Sequence, residues 1–405
     1  MMKLYGQLGA QLGSKVLDAI KAKYIEGAIF SPRDISRERL GNQISQLIEI
    51  APQVGLLFDP QYYASPLAST GSVRLGSLPE DYSSYFESRR LGDLRKEANI
   101  RQDIRRTIGF QASLPFTHLI SPNILISRSF DSREATIAED FVQFTREESS
   151  KLAGGRPVLS TLAISREALL DRRLLEEFAN EITGLDDPPD GFYLLIAARS
   201  SEMRSDIYNS DVIGAWMYLN HVLSINGYEI VNGYSDLLSP FLGAAGATAG
   251  ATGWWSNLKS FSLGRFGPSP KGGRLPIQRY LSLSLLNRIT FAELDQLREM
   301  VPKVMNGLET DKIYDDEGSE PARNREVLQS WESISVLCSR LKGKTIRESL
   351  RKCLTAIKEA KECYDEVNAI VSLDQKSNDE HLDAIEFGIQ SFKETAELGL
   401  SGEEG

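Results

Sequence analysis

Short apolar runs alternate with longer amphipathic stretches through the first three-quarters of the chain. Apolar positions at three- and four-residue spacing predict helices over 12–24, 36–50, 92–108, 132–152, 166–183 and 209–225. Each leads into a compact apolar run: 27–30, 54–58, 116–120, 157–164, 191–197 and 228–231. The Gly/Ala/Thr run 241–252 supplies a seventh strand. The alternating 280–286 supplies an eighth, followed by a helix over 291–305. Unbroken βα alternation implies parallel strands joined by crossover helices. Eight such units predict an α/β fold of the (β/α)8, TIM-like barrel type. A doubly wound sheet would carry a Gly-rich phosphate turn after its first strand. Here that turn reads Ser31-Pro32-Arg33-Asp34, without glycine.

Two stretches break the rhythm. The gap between the second and third predicted strands holds an insertion, 64–115, of the size of a lid or docking surface. Within it, Arg89–Arg106 carries seven Lys/Arg against three acids. Beyond the barrel region, 1–306, the polar and acidic 307–324 reads as a linker. A helical C-terminal region, 325–400, follows as an appendage, with helices over 325–342, 345–372 and 379–397. Leu328, Trp331, Ile334, Leu337 and Leu341 share one face of the first of them. This tail is an expected surface for a protein partner.

In such barrels the site is built from loops at the C-terminal ends of the strands. The polar residues following each predicted strand are therefore the candidates. Asp59, Asp34 and Glu202 are the candidate catalytic carboxylates, able to act as acid and base or as a glycosidic nucleophile. Capping of the following helix is the competing role for Asp34. Arg33, Gln61, Tyr62, Arg199, Asn232, Tyr234, Trp254, Trp255, Asn257, Lys259 and Arg265 are the candidate ligand-binding residues.

Charge sharpens that list. Asp236 and Glu293 enclose 56 residues without a single acid, although 56 of the 405 residues are acidic. The window holds Lys259, Arg265, Lys271, Arg274, Arg279 and Arg288, so it is locally +6 in a chain of net charge −10. It also holds the Gly-rich run 242–253 and the pair Trp254–Trp255. That composition points to an anion-binding surface. No Gly-Lys-Ser/Thr follows the glycines, so the run is not a Walker motif. Barrels do, however, often place phosphate sites after strands seven and eight.

Other features narrow the classes. The first residues lack the apolar core of a signal peptide, and no run is apolar enough to span a membrane. Three cysteines, an odd number without a CxxC, suggest free thiols and a cytoplasmic location. The three histidines, His118, His221 and His381, are far apart, so no structural zinc is expected; the cofactor is left open. No motif points to a family. The reading is a barrel binding an anionic, phosphorylated or nucleotide-like ligand or nucleic-acid fragment at its C-terminal mouth, with hydrolase or glycosyl-transfer chemistry as the candidate reaction. The alternative is a non-catalytic module docking a protein or nucleic acid through 89–106 and the helical tail.

Overall fold

The computed structural model describes every residue of the chain except 1, 11, 72, 269–275, 318–320 and 399–405. Eight parallel strands form a nearly closed barrel: β1 (Lys3–Gln7), β2 (Gly27–Phe30), β3 (Gly55–Phe58), β4 (Leu119–Ser121), β5 (Val158–Ser165), β6 (Gly191–Ala197), β7 (Glu229–Asn232) and β8 (Ala249–Thr252). They follow one another in chain order, and β8 returns to pair with β1, Tyr5 beside Ala251. Between β3 and β4 the ladder is replaced by Thr117. Its N–H donates to Leu56 O at 2.9 Å, and its Oγ1 accepts from Leu56 N at 3.0 Å.

The barrel predicted from the sequence is therefore present, with its count displaced by one. Lys3–Gln7 is the true first strand, so the insertion follows the third strand. The stretch 280–286 leaves the barrel and turns an antiparallel hairpin, β9 (Arg279–Ser282) with β10 (Asn287–Thr290). This strand is as buried as the barrel strands, Tyr280, Leu281 and Ser282 being fully covered, so its burial pattern does not set it apart from them. The Gly/Ala run divides between the end of a helix, α7 below, and β8. At Gly250 a Cβ would lie 2.5 Å from Ser239 Oγ, so only glycine lets this strand approach the helix.

Six crossover helices cover the strands: α1 (Gly13–Lys21), α2 (Arg37–Ile50), α3 (Glu97–Ala112), α4 (Arg133–Ser149), α5 (Arg172–Thr183) and α6 (Ser210–Ile225). Ser36, Ser132, Asp171 and Asn209 cap α2, α4, α5 and α6 by accepting a backbone N–H of the first turn. A short α7 (Ser239–Ala244) follows β7. The place between α7 and α1 is filled from far down the chain by α8 (Arg323–Leu341). Trp331 of α8 is buried over β1 and β8, and its indole N–H donates to Thr252 O at 3.2 Å. Next come α9 (Ile346–Asn368) and α10 (Glu380–Thr395). α10 lies along α6, where Gly214 and Gly388 admit backbone contact: a Cβ on Gly388 would meet Ile213 Cγ2 at 2.7 Å.

The insertion seals one flank with aromatic packing, Phe58 against Tyr82, Tyr85, Phe110 and Phe116. Among the described residues no helix is long and apolar enough to cross a membrane.

Candidate functional site

The barrel axis is polar where most such barrels are filled with branched aliphatic side chains. Asp59, immediately after β3, is completely buried. Its carboxylate accepts from Gln61 N at 3.0 Å, Tyr63 Oη at 2.9 Å, Tyr234 Oη at 3.1 Å and Tyr193 Oη at 3.5 Å. Tyr193 on β6 also reaches Gln7 on β1 at 3.5 Å. Neither β1 nor β3 neighbours β6, so these bonds cross the lumen. Burial pushes the Asp59 carboxyl up to about 6, against its hydrogen bonds and the charge of Arg265. Arg265 is itself buried. It donates to Tyr234 Oη at 2.8 Å and pairs with Asp34 at 2.6 Å. Gln7 Nε2, Gln61 Nε2 and Arg265 Nε find no hydrogen-bond partner around this centre.

Beside this closed cluster, at the C-terminal ends of β6, β7 and β8, lies an open cavity of about 670 Å³. Its inner wall comes from the barrel: Ile196 and Ala198 after β6, Tyr234–Leu238 after β7, Trp254 and Lys259 after β8. Its outer wall comes from the hairpin, the start of α8 and residues 374–376. Among the described residues the lining holds seven Lys/Arg and five Asp/Glu. Six of the cations are engaged. Arg288 grips Asp236 with both terminal nitrogens, at 2.6 and 2.8 Å. Arg279 pairs with Asp374, Arg323 with Glu326, Arg166 with Asp206 and Lys376 with Glu202. Arg204 donates to Asn378 and to His381 Nδ1, at 3.0 and 2.7 Å. His381 Nε2 donates to Leu286 O, which fixes the neutral tautomer; burial and Arg204 push its pKa down to about 3. The seventh cation, Lys259, makes no hydrogen bond or ion pair with any described residue.

The electrostatics of this wall are coupled. Burial opposes the charge of Asp236, but Arg288 and Lys259 outweigh it and hold the carboxyl below the ordinary range. Burial and the charge of Arg288 push the Lys259 ammonium down to about 8, with Asp236 and Glu326 opposing. Tyr234 and Asp236, like Gln61 beside Asp59, have left-handed backbone, with φ of 53°, 40° and 52°. Non-glycine residues adopt that region at a cost, and such strain concentrates at functional sites.

Of the sequence candidates, Glu202, Tyr234, Trp254 and Lys259 line the cavity. Asp59, Asp34, Gln61 and Arg265 gather in the buried cluster. There Asp34 joins the Arg33 and Arg265 ion pairs while Ser36 caps α2. Arg33 is tied to Asp34, to Arg74 O and to Gln61. The others lie apart. Tyr62 donates to Asp103 in the insertion. Arg199 pairs with Glu167 on the surface with its side chain 69% exposed. Asn232 is buried and accepts from the Trp216 indole at 2.6 Å. Trp255 is exposed with Arg323 over its ring, and Asn257 is half-buried with its Oδ1 unpartnered. The helical turn after Trp255 is only four residues, Ser256–Lys259, so the anion argument passes from backbone N–H groups to side chains. Lys271 and Arg274 lie outside the described residues.

The sequence reading missed Arg166, Arg204, Arg279, Arg288 and Arg323 as wall residues. Arg279 and Arg288 stood in the acid-free window, so a signal existed. Arg323 falls at the end of the stretch read as a linker, 307–324, and nothing local marks it. Among the described residues no group of three or more His, Cys, Asp or Glu side chains is arranged to hold a metal ion. No protein-family model matches the chain, and no curated protein sequence matches it.

Proposed function

We propose that the cavity at the ends of β6–β8 binds a small anionic ligand, phosphorylated or nucleotide-like. The observation that carries this reading is the unpaired ammonium of Lys259 in a wall with seven cations and five carboxylates. Lys259 is half-buried and feels Asp236 and Glu326 only at a distance, with no carboxylate of the described residues in ion-pair contact, so a bound anion would give it a direct partner. The volume, about 670 Å³, suits a metabolite-sized ligand, and Trp254, Tyr208 and Ile277 offer an apolar side. Each wall carboxylate lies beside a cation, which favours binding of an anion over a glycosidic carboxylate pair. The docking alternative draws less support. In the basic insertion Arg89, Arg101, Arg105 and Arg106 all pair with carboxylates of the same chain. A cytoplasmic setting accords with the three free thiols buried in α8 and α9.

The test is calorimetric titration with inorganic pyrophosphate and with adenosine 5′-monophosphate. Lys259→Ala should weaken binding by about 1–3 kcal/mol, the worth of one charge-assisted contact. Affinity should also fall as salt rises. Unchanged affinity in the variant would remove the basis of the reading.

A further inference from the structure

The same lysine points to chemistry beyond binding, an inference that rests on the anion reading above. Lys259 ends the turn that follows β8 and faces the cavity between the hairpin and the start of α8. Every other lysine or arginine of the wall is committed to a partner; Lys259 alone presents an amine with no hydrogen bond among the described residues. The guanidiniums of Arg288 and Arg323 act on it with like charge. Both line the same cavity as Lys259. A lysine desolvated beside other cations is the arrangement that frees an amine for nucleophilic attack at neutral pH.

We propose that Lys259 forms an imine with the carbonyl carbon of a small aldehyde or ketone that bears a phosphate or carboxylate. The Nζ lone pair forms the C–N bond as the C=O π pair moves to oxygen. Both amine protons pass to that oxygen, and it leaves as water, so no oxidant, reductant or metal takes part. The lowered basicity of this amine, about 8, makes a sizeable neutral fraction available near neutral pH. Arg288 and Arg323, tied to Asp236 and Glu326, would hold the anionic group and fix the carbonyl over Nζ.

Pyridoxal 5′-phosphate, an aldehyde bearing a phosphate, is a suitable probe. One equivalent is added to the full-length protein, the imine is reduced with borohydride, and the labelled peptide is mapped by mass spectrometry. Lys259 should carry more label than any other lysine, and inorganic pyrophosphate should suppress it. Lys259→Arg keeps the charge but removes the nucleophile. This variant should lose the label yet still bind pyridoxine 5′-phosphate, which lacks the aldehyde. Label spread over surface lysines, with pyridoxine 5′-phosphate still bound and displaced by pyrophosphate, would overturn the imine and leave the anion site standing. Absence of both label at Lys259 and pyridoxine 5′-phosphate binding would overturn the two together.

Discussion

Asp59→Asn separates the cost of a buried charge from everything else at the barrel axis. In the folded protein burial holds this carboxyl at about 6, against an ordinary 3.8. A group whose folded value is raised binds its proton more tightly in the native state, so stability falls as pH rises between the two values. Below 3.8 both states are protonated and the ionisation costs nothing. Above about 6 both are ionised and the full penalty, about 3 kcal/mol, is present. Asparagine does not titrate. Its carbonyl oxygen can still accept from Tyr63 and Tyr234, and any misfit of its amide near Gln61 is a constant at every pH. The variant minus wild-type stability should therefore climb by about 2–3 kcal/mol between about pH 4 and pH 7. Urea unfolding followed by tryptophan fluorescence across that range measures it, and carboxyls elsewhere cancel in the difference. A difference that stays flat with pH would show that Asp59 is not desolvated, and the closed tyrosine cage would then be the wrong description of the axis.

Two further substitutions probe the walls. Trp331→Ala should cost about 3–5 kcal/mol in urea unfolding monitored by circular dichroism, because it empties a fully packed site over β1 and β8 and drops the bond to Thr252. A loss below about 1 kcal/mol would mean that α8 only leans on the barrel. Arg288→Met leaves Asp236 without its guanidinium and should cost about 3 kcal/mol at neutral pH. Because Asp236 is held below its ordinary range, that penalty should shrink as pH falls and the carboxyl protonates, and a pH-independent loss would contradict it.

The barrel was legible because its strands are continuous apolar runs and its helices are amphipathic. β1 was not, because Lys-Leu-Tyr-Gly-Gln carries two inward residues, Tyr5 and Gln7, that are polar or amphipathic. Conversely 280–286 looked like a strand and is one in part, but it pairs antiparallel with Asn287–Thr290 outside the barrel, which its own apolar pattern does not distinguish. Position after a strand named Asp59, Tyr234 and Lys259, and the fold places Asp59 at the barrel axis and the other two in the cavity wall. It could not tell which end up under tyrosines and which face solvent. That depends on Arg265, which lies 206 residues after Asp59 in the sequence and is drawn inward by Asp34 at 2.6 Å. Pairing between distant charges leaves no local pattern, so the basic window read as six equivalent cations. In the fold Arg265 is structural, Arg288 is clamped and Lys259 is left free.

The division between these cations follows from where the barrel receives its last helix. Because α8 arrives after the 70 residues, 253–322, that follow β8, the segments ahead of it and beyond it meet beside β7 and β8 at the cavity. They bring Arg279, Arg323, Glu326 and Asp374 to the mouth. The cavity is thus a joint product of the barrel and its C-terminal helices. His381 of α10 braces Arg204 on one side, and Ser330 of α8 accepts from Arg288 at 2.8 Å on the other. Residues that support guanidiniums in this way gain little from burying their own polar groups. What they do fix is the direction of positive charge around one unpaired amine. A wall arranged for stability alone would have given Lys259 a carboxylate, as it did for five of its six neighbours. In the proposed reading, the ligand's anionic group would make the direct contact that no wall carboxylate makes with Lys259.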